Sequence, residues 1–225
     1  MNRESLKKNR FVRTLAFHFR NWRESRSFTS GSGHSIVKRG VCVDSQIQIQ
    51  GSNNFVLLDM DSVLFRSKIK VNGQNNRVIL HPGAYLSGVE LYIEDNNCTM
   101  EIGANTYIGH HSHLACTEDD STLNIGSKCM LSSYVQIRTG DSHSILDMEG
   151  SRINPAASVE IGDHCWLGEA CKVMKGVTLG RDSVVSTGAI VTKSFGSNVL
   201  VGGMPAKVLK TNINWDEKEY NQWNR

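Results

Sequence analysis

The chain has 225 residues, enough for one domain with a buried core and a short appendage. It carries 25 Lys and Arg against 22 Asp and Glu, a net charge of +3, with 3 prolines and 20 glycines. This composition excludes collagen-like and disordered chains. No apolar run reaches the roughly 18 to 20 residues that a membrane-spanning helix needs.

Positive charge is concentrated at the start of the chain. Residues 1–40 hold ten Lys and Arg against two Glu, so the remaining residues are acidic overall. A nucleic-acid-binding protein usually carries its positive charge on the folded face that contacts the ligand. We therefore expect no nucleic-acid partner.

Residues 1–35 form the first predicted segment, a basic amphipathic one. Its large apolar residues recur at mostly helical spacing between basic residues: Leu6, Phe11, Leu15, Phe19 and Trp22. We expect an N-terminal helix with two alternative roles. It either covers the open end of the following domain, or lies through residues 5–26 on an anionic membrane surface.

From residue 47 the chain repeats itself with a period of 22. The copies are IQIQGSNN (47–54), IKVNGQNN (69–76), LYIEDNNC (91–98), a degenerate HLACTEDD at 113, and VQIRTGDS, which we place at 135. Repeats of this length indicate stacked units that cannot bury their apolar faces alone. The Asn-Asn pairs predict turns, because asparagine tolerates left-handed conformations.

A second period of six residues runs through the C-terminal half. Its large aliphatics are Ile161, Leu167, Val173, Leu179, Val185 and Val191. A second column stands two residues earlier: Val159, Cys165, Cys171, Val177, Ser183 and Ala189. Since positions two apart share one face of a strand, both columns are predicted to point inward. Glycine follows three of the large aliphatics, where we expect it to adopt a turn conformation closed to most residues.

Three hexads make one triangular coil of 18 residues, and the 22-residue repeat is such a coil with four additional residues. The pattern therefore predicts an all-β parallel β-helix over residues 36–210, built from stacked short strands. The tail, residues 211–225, is polar with three aromatics and is expected to pack over the last coils.

The same step of six residues links Ile125, Leu131 and Ile137. The pattern then stops and resumes at Ile161, four hexads later, with a polar segment between them at residues 139–158. A polar loop on a rigid frame is a common position for a functional site. This loop carries His143, and histidine titrates nearest to neutrality, which suits a group that takes and returns a proton. The alternative is an exposed loop histidine without a role.

The segments DSH, IGDHCWLG, GVTLG, IVTK and GGMPAKV occur in this order. Together they resemble the hexapeptide-repeat acyltransferases, in particular the sugar O-acetyltransferases of the galactoside, maltose and capsular polysaccharide type. The resemblance covers about residues 47–210. It implies that the β-helix is left-handed and that the protein is a homotrimer.

The resemblance also implies an activity, the transfer of acetyl from acetyl-CoA to a sugar hydroxyl with His143 as the catalytic base. It implies oxyanion donors among the backbone amides near Gly168. The expected acetyl-CoA contacts are Trp166, Gly168, Ser186, Thr187, Thr192, Lys193, Lys207 and Lys210. Trp166 would also line the acceptor site, or would pack against the loop 139–158 instead. Arg138 and Asp141 flank His143 and are candidates for holding the acceptor.

The expected acceptor is a capsular or surface polysaccharide, or its precursor. An N-acetyltransferase for an amino sugar and a non-catalytic β-helix scaffold remain alternatives. We expect no metal, because His110, His111 and His113 lack the further histidine pair that would complete a zinc site. Six cysteines without a CxxC pair predict reduced thiols in the cytoplasm, with the inner face of the membrane as an alternative location.

Overall fold

The computed structural model describes residues 25–217. These residues contain 24 β-strands and no α-helix. Among them there is accordingly no helix that could cross a membrane. Residues 1–24 of the predicted N-terminal segment, which include all its large apolar residues from Leu6 to Trp22, lie outside the described part of the chain. Ser25–Ser32 of the same segment form a strand.

The strands, numbered in chain order, form three sheets. The first sheet contains β1 (Ser25–Ser32), β4 (Ser45–Ser52), β7 (Lys68–Gln74), β10 (Glu90–Glu94), β13 (His113–Thr117), β16 (Gln136–Arg138), β19 (Lys172–Val173) and β22 (Ile190–Val191). The second contains β2 (Ser35–Lys38), β5 (Phe55–Leu58), β8 (Arg77–Leu80), β11 (Thr99–Ile102), β14 (Thr122–Ile125), β17 (Val159–Ile161) and β20 (Thr178–Leu179). The third contains β3 (Val41–Val43), β6 (Val63–Phe65), β9 (Tyr85–Ser87), β12 (Tyr107–Ile108), β15 (Met130–Leu131), β18 (Trp166–Leu167), β21 (Val184–Val185), β23 (Val199–Gly203) and β24 (Ala206–Thr211).

Each coil passes once through the first, second and third sheets, and each strand pairs in parallel with its equivalents in the coils above and below. The result is the predicted all-β parallel β-helix, a three-sided prism. The first described strand, β1, pairs in register with β4 from Ser25 onward, so the β-helix extends at least eleven residues before the predicted start at residue 36. At the other end β24 folds back antiparallel on β23. The left-handed turn of the coils stays a prediction.

The core lies inside the prism and consists of the two predicted columns. No side chain of either hexad column is more than 1% exposed, so the prediction that both point inward is confirmed. Complete burial of a valine, leucine or isoleucine contributes about 1.5 to 3 kcal/mol each. The stack of aliphatic layers is therefore the main source of stability.

The physical reason for glycine after the large aliphatics differs from the predicted one. Gly162, Gly168 and Gly180 do not have positive φ. A Cβ at Gly168 would instead lie 2.6 Å from the Thr187 nitrogen of the next coil, and one at Gly180 would lie 2.3 Å from the Ser197 nitrogen. These positions require glycine because consecutive coils touch there, backbone against backbone.

Asparagines form a ladder at the corner between the first and second sheets. Asn53, Asn75 and Asn97 adopt positive φ of 54°, 58° and 57°, which confirms the predicted turns. Inside them lies Asn76, fully buried, whose Nδ2 donates to the Asp95 carbonyl at 2.8 Å. Its Oδ1 accepts from the Cys98 amide at 2.8 Å. The ladder thus satisfies backbone groups that the wider turn leaves without strand partners.

The register corrects the alignment of the last repeat. One inward column joins equivalent positions in five coils: Ile47, Ile69, Leu91, Leu114 and Ile137. The final two steps are 23 residues, so the copy placed at residue 135 begins two residues later, at Ile137. By this count His143 is equivalent to Asn53, which is the left-handed turn residue of its coil.

Replacement of Asn76 by alanine tests the ladder. The substitution removes two hydrogen bonds from buried backbone groups, and we expect the free energy of unfolding to fall by about 2 to 4 kcal/mol. Urea denaturation followed by circular dichroism measures this loss. The control is Gln74→Ala, an exposed position two residues away, which should change stability by less than about 0.5 kcal/mol. Equal midpoints for the two variants would show that the ladder is not structurally important.

Candidate active site

The loop 139–158 leaves the prism after β16 and returns at β17, at the corner between the first and second sheets. Ile125 pairs with Ile161 across the loop, and Leu131 pairs with Leu167. Both steps are 36 residues, twice an 18-residue coil. The loop therefore adds three hexads of length without changing the phase of the coils around it.

His143 lies in this loop with an exposed side chain. Its carbonyl oxygen accepts a hydrogen bond from Asn154 Nδ2 at 2.8 Å, so the backbone is fixed although the ring points to solvent. Within residues 25–217 no hydrogen bond to the imidazole ring is present. Both ring nitrogens are therefore available to a ligand.

Asn154 organises the loop from beneath. It is buried, and its Nδ2 also donates to Asp141 Oδ2 at 2.9 Å. Its Oδ1 accepts from the Ile145 amide at 2.7 Å. One side chain thus holds the residues on both sides of His143.

Two ion pairs complete what we call the loop clamp, formed by Glu118, Asp141, Arg152, Asn154 and Lys175. Arg152 makes a bidentate contact with Glu118 at 2.7 and 2.6 Å. Lys175 Nζ donates to Asp141 Oδ2 at 2.5 Å and to the Asn154 carbonyl at 2.9 Å. Hydrogen bonds from Arg152 and from Lys175 lower the pKa of the Glu118 and Asp141 carboxyls respectively.

The sequence did not identify four members of the clamp: Glu118, Arg152, Asn154 and Lys175. A signal was present, because Glu118 belongs to the degenerate copy at 113, the coil directly below the loop. Asp141, predicted to hold the acceptor, has its carboxylate occupied by Lys175 and Asn154. Arg138, the other predicted acceptor residue, makes no side-chain hydrogen bond or ion pair to the described residues.

Trp166 lies on a different side of the prism, in β18 of the third sheet. It points outward as predicted and is 37% exposed. The aromatic ring beside it is that of Trp215, 5.9 Å away, which belongs to the tail rather than to the loop 139–158. Trp215 stacks on His164 with centroids 4.5 Å apart and donates from Nε1 to the His164 carbonyl at 2.7 Å.

His164 is a corner residue with φ of 53°. Its Nδ1 is 2.9 Å from Asp182 Oδ1, and this contact lowers the pKa of the Asp182 carboxyl. The tail, as far as it is described, packs on the coils as expected, and Trp215 is the contact that joins it to the surroundings of Trp166.

The predicted acetyl-CoA residues fall into groups. Gly168, Ser186 and Thr187 lie at the corner between the third and first sheets. Lys207 and Lys210 are exposed on β24 of the third sheet. Thr192 and Lys193 lie after β22, at the same corner as the loop 139–158. A single chain therefore does not bring all of these residues, or His143 and Trp166, into one pocket.

The Gly168 amide is not free to bind an oxyanion, because it donates to the Val185 carbonyl at 2.8 Å. The backbone amides of Glu169 and, one coil above, Thr187 donate no hydrogen bond to any residue in the described part of the chain. The corner thus offers two free backbone donors, adjacent to the position that the sequence indicated.

The rings of His110 and His111 lie 6.4 Å apart, but the three histidines have separate partners. His110 contacts Ser87, His111 stacks on Tyr134 at 4.9 Å, and His113 faces Glu90 at 3.8 Å. Among residues 25–217 no three His, Cys, Asp or Glu side chains are arranged to hold a metal ion.

The loop clamp predicts an effect of pH. A carboxyl whose pKa is lowered in the folded state stabilises that state at pH values above its unfolded-state pKa, which is about 4. This stabilisation is lost as the pH falls through the lower pKa of the folded state. We expect hydrogen exchange in residues 141–157, corrected for intrinsic rate, to accelerate below about pH 4. The Ala156 amide donates a hydrogen bond to the Glu118 carboxylate. Glu118→Gln should therefore raise the exchange rate of this amide about tenfold already at pH 7. The control Glu149→Gln, in the same loop, should leave this amide unchanged, and equal exchange in both variants would argue against the clamp.

The tail contact gives a second prediction. Trp215→Ala removes the stack on His164 and one hydrogen bond, and should lower the free energy of unfolding by about 1 to 3 kcal/mol. Acrylamide should then quench the fluorescence of Trp166 more strongly. Trp215→Phe keeps a ring over His164 and should lie between the parent and the alanine variant. Unchanged quenching in the alanine variant would show that the tail does not cover Trp166.

Comparison with known proteins agrees with this geometry. The family of the hexapeptide repeat of succinyl-transferase matches residues 158–193. A polysialic acid O-acetyltransferase of Escherichia coli O1:K1 / APEC is 34% identical over 51% of this chain and 37% of its own length. A galactoside O-acetyltransferase of Escherichia coli strain K12 is 32% identical over 54% of this chain and 58% of its own length. The chain thus spans less than two thirds of the length of these two curated relatives.

Two solved structures are similar over nearly the whole chain. The polysialic-acid-specific acetyltransferase NeuO is 29% identical, with a TM-score of 0.82 over 88% of this chain and 91% of the other. The polysialic acid O-acetyltransferase OatWY is 30% identical, with a TM-score of 0.82 over 87% of this chain and 93% of the other. By its coils, its hexad columns and these relatives, the chain belongs to the hexapeptide-repeat acyltransferase family.

Proposed function

We propose that the protein is an acetyl-CoA-dependent O-acetyltransferase that acts on a hydroxyl of a capsular or surface polysaccharide or its precursor. The observation that carries this proposal is the loop clamp, which fixes the backbone at His143 while leaving the ring exposed. The similarity to two polysialic acid O-acetyltransferases over most of the chain supports the same class of reaction.

His143 acts as general base. An alcohol is a poor nucleophile at neutral pH, so the imidazole takes the hydroxyl proton as the sugar oxygen attacks the thioester carbonyl. The carbon–oxygen bond forms and the carbon–sulfur bond breaks, and the imidazolium returns its proton to the departing sulfur. The products are an acetyl ester and a free thiol, and no covalent acyl-enzyme is needed.

Backbone donors at the third–first corner stabilise the developing oxyanion. The amides of Glu169 and Thr187 have no acceptor in the described residues, so they are available for this charge. Acetyl-CoA supplies the activated acetyl group. Its pantetheine arm runs along the corner at Gly168, and Lys207 and Lys210 on the third sheet provide cations for its phosphates.

We propose further that the site forms between copies in a homotrimer. His143, Thr192 and Lys193 lie at the first–second corner. In a three-sided prism that corner faces away from the third sheet, which carries Trp166, Lys207 and Lys210. His143 and Trp166 thus lie on opposite sides of the prism. Thr192 and Lys193 are separated from Lys207 and Lys210 in the same way. A head-to-tail contact, corner against third sheet, brings both halves together and closes as a ring.

The two alternatives account for fewer observations. An N-acetyltransferase would use the same base on an amine, and a sugar panel distinguishes the two. A non-catalytic scaffold would retain the hexads but has no use for an exposed histidine in a clamped loop. None of the six cysteines forms a disulfide and all six are buried, which supports the cytoplasmic location that we propose.

Replacement of His143 tests the function. With acetyl-CoA and a panel of sugars and polysaccharides, release of free thiol should depend on the acceptor. His143→Ala should lower kcat by about 10² to 10⁴ while KM for acetyl-CoA stays close to that of the parent, because the imidazole acts on the proton and not on the thioester. The control is His81→Ala, which directly follows β8, three coils before the loop.

Two results would contradict the proposal in different ways. Parental turnover by His143→Ala would remove His143 as the base. Absence of thiol release by the parent with every hydroxyl acceptor, together with release with amino sugars, would favour the N-acetyltransferase.

A further inference from the structure

The first described coil of the prism, made of β1, β2 and β3, ends the aliphatic core in a polar layer. The strand register places Ser27 over the inward Ile47. It also places Lys38 at the head of an inward column in which the six coils below carry only leucine or isoleucine: Leu58, Leu80, Ile102, Ile125, Ile161 and Leu179. The first coil therefore replaces aliphatic side chains by polar ones where the core meets the open end of the prism.

These polar side chains meet across the open end. Lys38 Nζ, on the second sheet, donates to Ser27 Oγ, on the first sheet, at 2.8 Å. Thr29, which pairs with the inward Ile49, adds another hydroxyl to the layer. An apolar surface laid over this layer would take the ammonium group out of water, which is unfavourable. The open end is thus poorly suited to an apolar partner.

The charge of the first coil leads to the same conclusion. Residues 25–43 contain Arg26, Lys38 and Arg39 but no Asp or Glu. Arg26 is exposed on β1, and Arg39 lies 3.5 Å from Asp59 of the second coil. The first coil is therefore positively charged.

Residues 1–24 carry charge of the same sign. They contain seven Lys and Arg against Glu4 and Glu24. The sequence predicts two alternative roles for this segment, to cover the open end or to lie on an anionic membrane. Because like charges repel and the open end is polar, covering it is the less favourable of the two roles.

The outer face of the third sheet is another surface that could receive the apolar residues of the segment. Tyr85 and Tyr107 stack there with centroids 5.8 Å apart, and each is 39% exposed. The outward column to which they belong contains no carboxylate: Val63, Tyr85, Tyr107, Met130 and Trp166. It would match the apolar residues of the segment but not its seven cations. The trimer proposed above also covers this sheet with a neighbouring copy.

We propose that residues 1–24 bind an anionic lipid bilayer and that the first coil of the prism faces the bilayer surface. A bilayer with anionic lipids matches both properties of the segment, since apolar residues enter the interface while basic residues contact the lipid phosphates. Arg26 adds a cation at the point where the prism begins. The loop with His143 follows β16, five coils from β1, which is about 24 Å at about 4.8 Å per coil. The catalytic loop therefore stays clear of the bilayer.

Vesicle binding by the full-length protein tests the proposal. In co-sedimentation we expect about tenfold or more tighter binding to vesicles of equal parts phosphatidylglycerol and phosphatidylcholine than to phosphatidylcholine alone. The double variant Phe11→Ser, Phe19→Ser should weaken this binding about tenfold or more, because it removes apolar residues from the interface. The control Met148→Ser, which changes a 98% exposed apolar residue of the loop 139–158, should bind like the parent. Parental binding by the double variant would overturn the proposal, since the attraction would then be one of charge alone.

A second pair of variants tests which part of the prism faces the bilayer. Arg26→Gln should weaken binding to the phosphatidylglycerol vesicles about fivefold. Lys172→Gln removes an exposed charge from β19, six coils away on the same sheet, and should leave binding unchanged. Equal losses in the two variants would contradict the orientation, because binding would then follow net charge.

Fluorescence and thermal melting separate the bilayer from a site on the protein. Brominated phosphatidylcholine in the vesicles should quench the parent more than Trp22→Phe, because Trp22 enters the interface and Trp166 does not. Without vesicles, the Phe11→Ser, Phe19→Ser variant should keep the parental melting temperature. A lower melting temperature with unchanged quenching would show that the segment packs on the prism and would overturn the proposal. Binding is measured without acetyl-CoA or acceptor, so the result does not depend on the proposed function.

Discussion

Every feature of this molecule depends on the alignment of each coil with the next. Parallel strands stack about 4.8 Å apart, and an inward residue must meet an inward residue in the coils above and below. An insertion is therefore tolerated only where it leaves and re-enters at the same corner in the same phase. The loop 139–158 does so, because Ile125 still pairs with Ile161. The requirement confines variation to corners, and three corners and three outer faces are the positions available for function.

A loop at a corner of the prism has a defined conformation only if side-chain contacts fix it to the neighbouring coils. Here the holding groups are polar and lie at the junction of loop and prism: Asn154 binds both sides of His143, and two ion pairs connect the loop to neighbouring coils. The pairs are partly shielded and each carboxylate is hydrogen-bonded, which makes them stronger than isolated surface pairs. The frame thus supplies rigidity through its core and position through the clamp, while the imidazole ring of His143 stays exposed.

Local periodicity made the β-helix and its inward columns predictable, because each strand of a repeat protein packs on a copy of itself. The contacts that define the site were not predictable in the same way. Glu118 and Arg152 are 34 residues apart, and Lys175 and Asp141 also 34, so their pairing depends on the path of the loop. The two steps of 23 residues before Ile137 displaced the last repeat by two positions. The glycines after the hexad aliphatics were predicted correctly as special, but the reason is contact between coils, which becomes visible only when the coils are stacked.

The proposed site, with His143 and Trp166 on two different sides of the prism, leads to the most direct test of the whole account. His143→Ala and Trp166→Ala chains, each of which the proposed trimer predicts to be inactive alone, are co-expressed with different tags, and mixed oligomers are isolated by both tags. If His143 of one copy faces Trp166 of the next, one of the three sites in each mixed trimer is intact, and about one third of the parental activity should return. If both residues act within one chain, no mixed site is intact, and activity that stays at the level of the single variants would contradict the account.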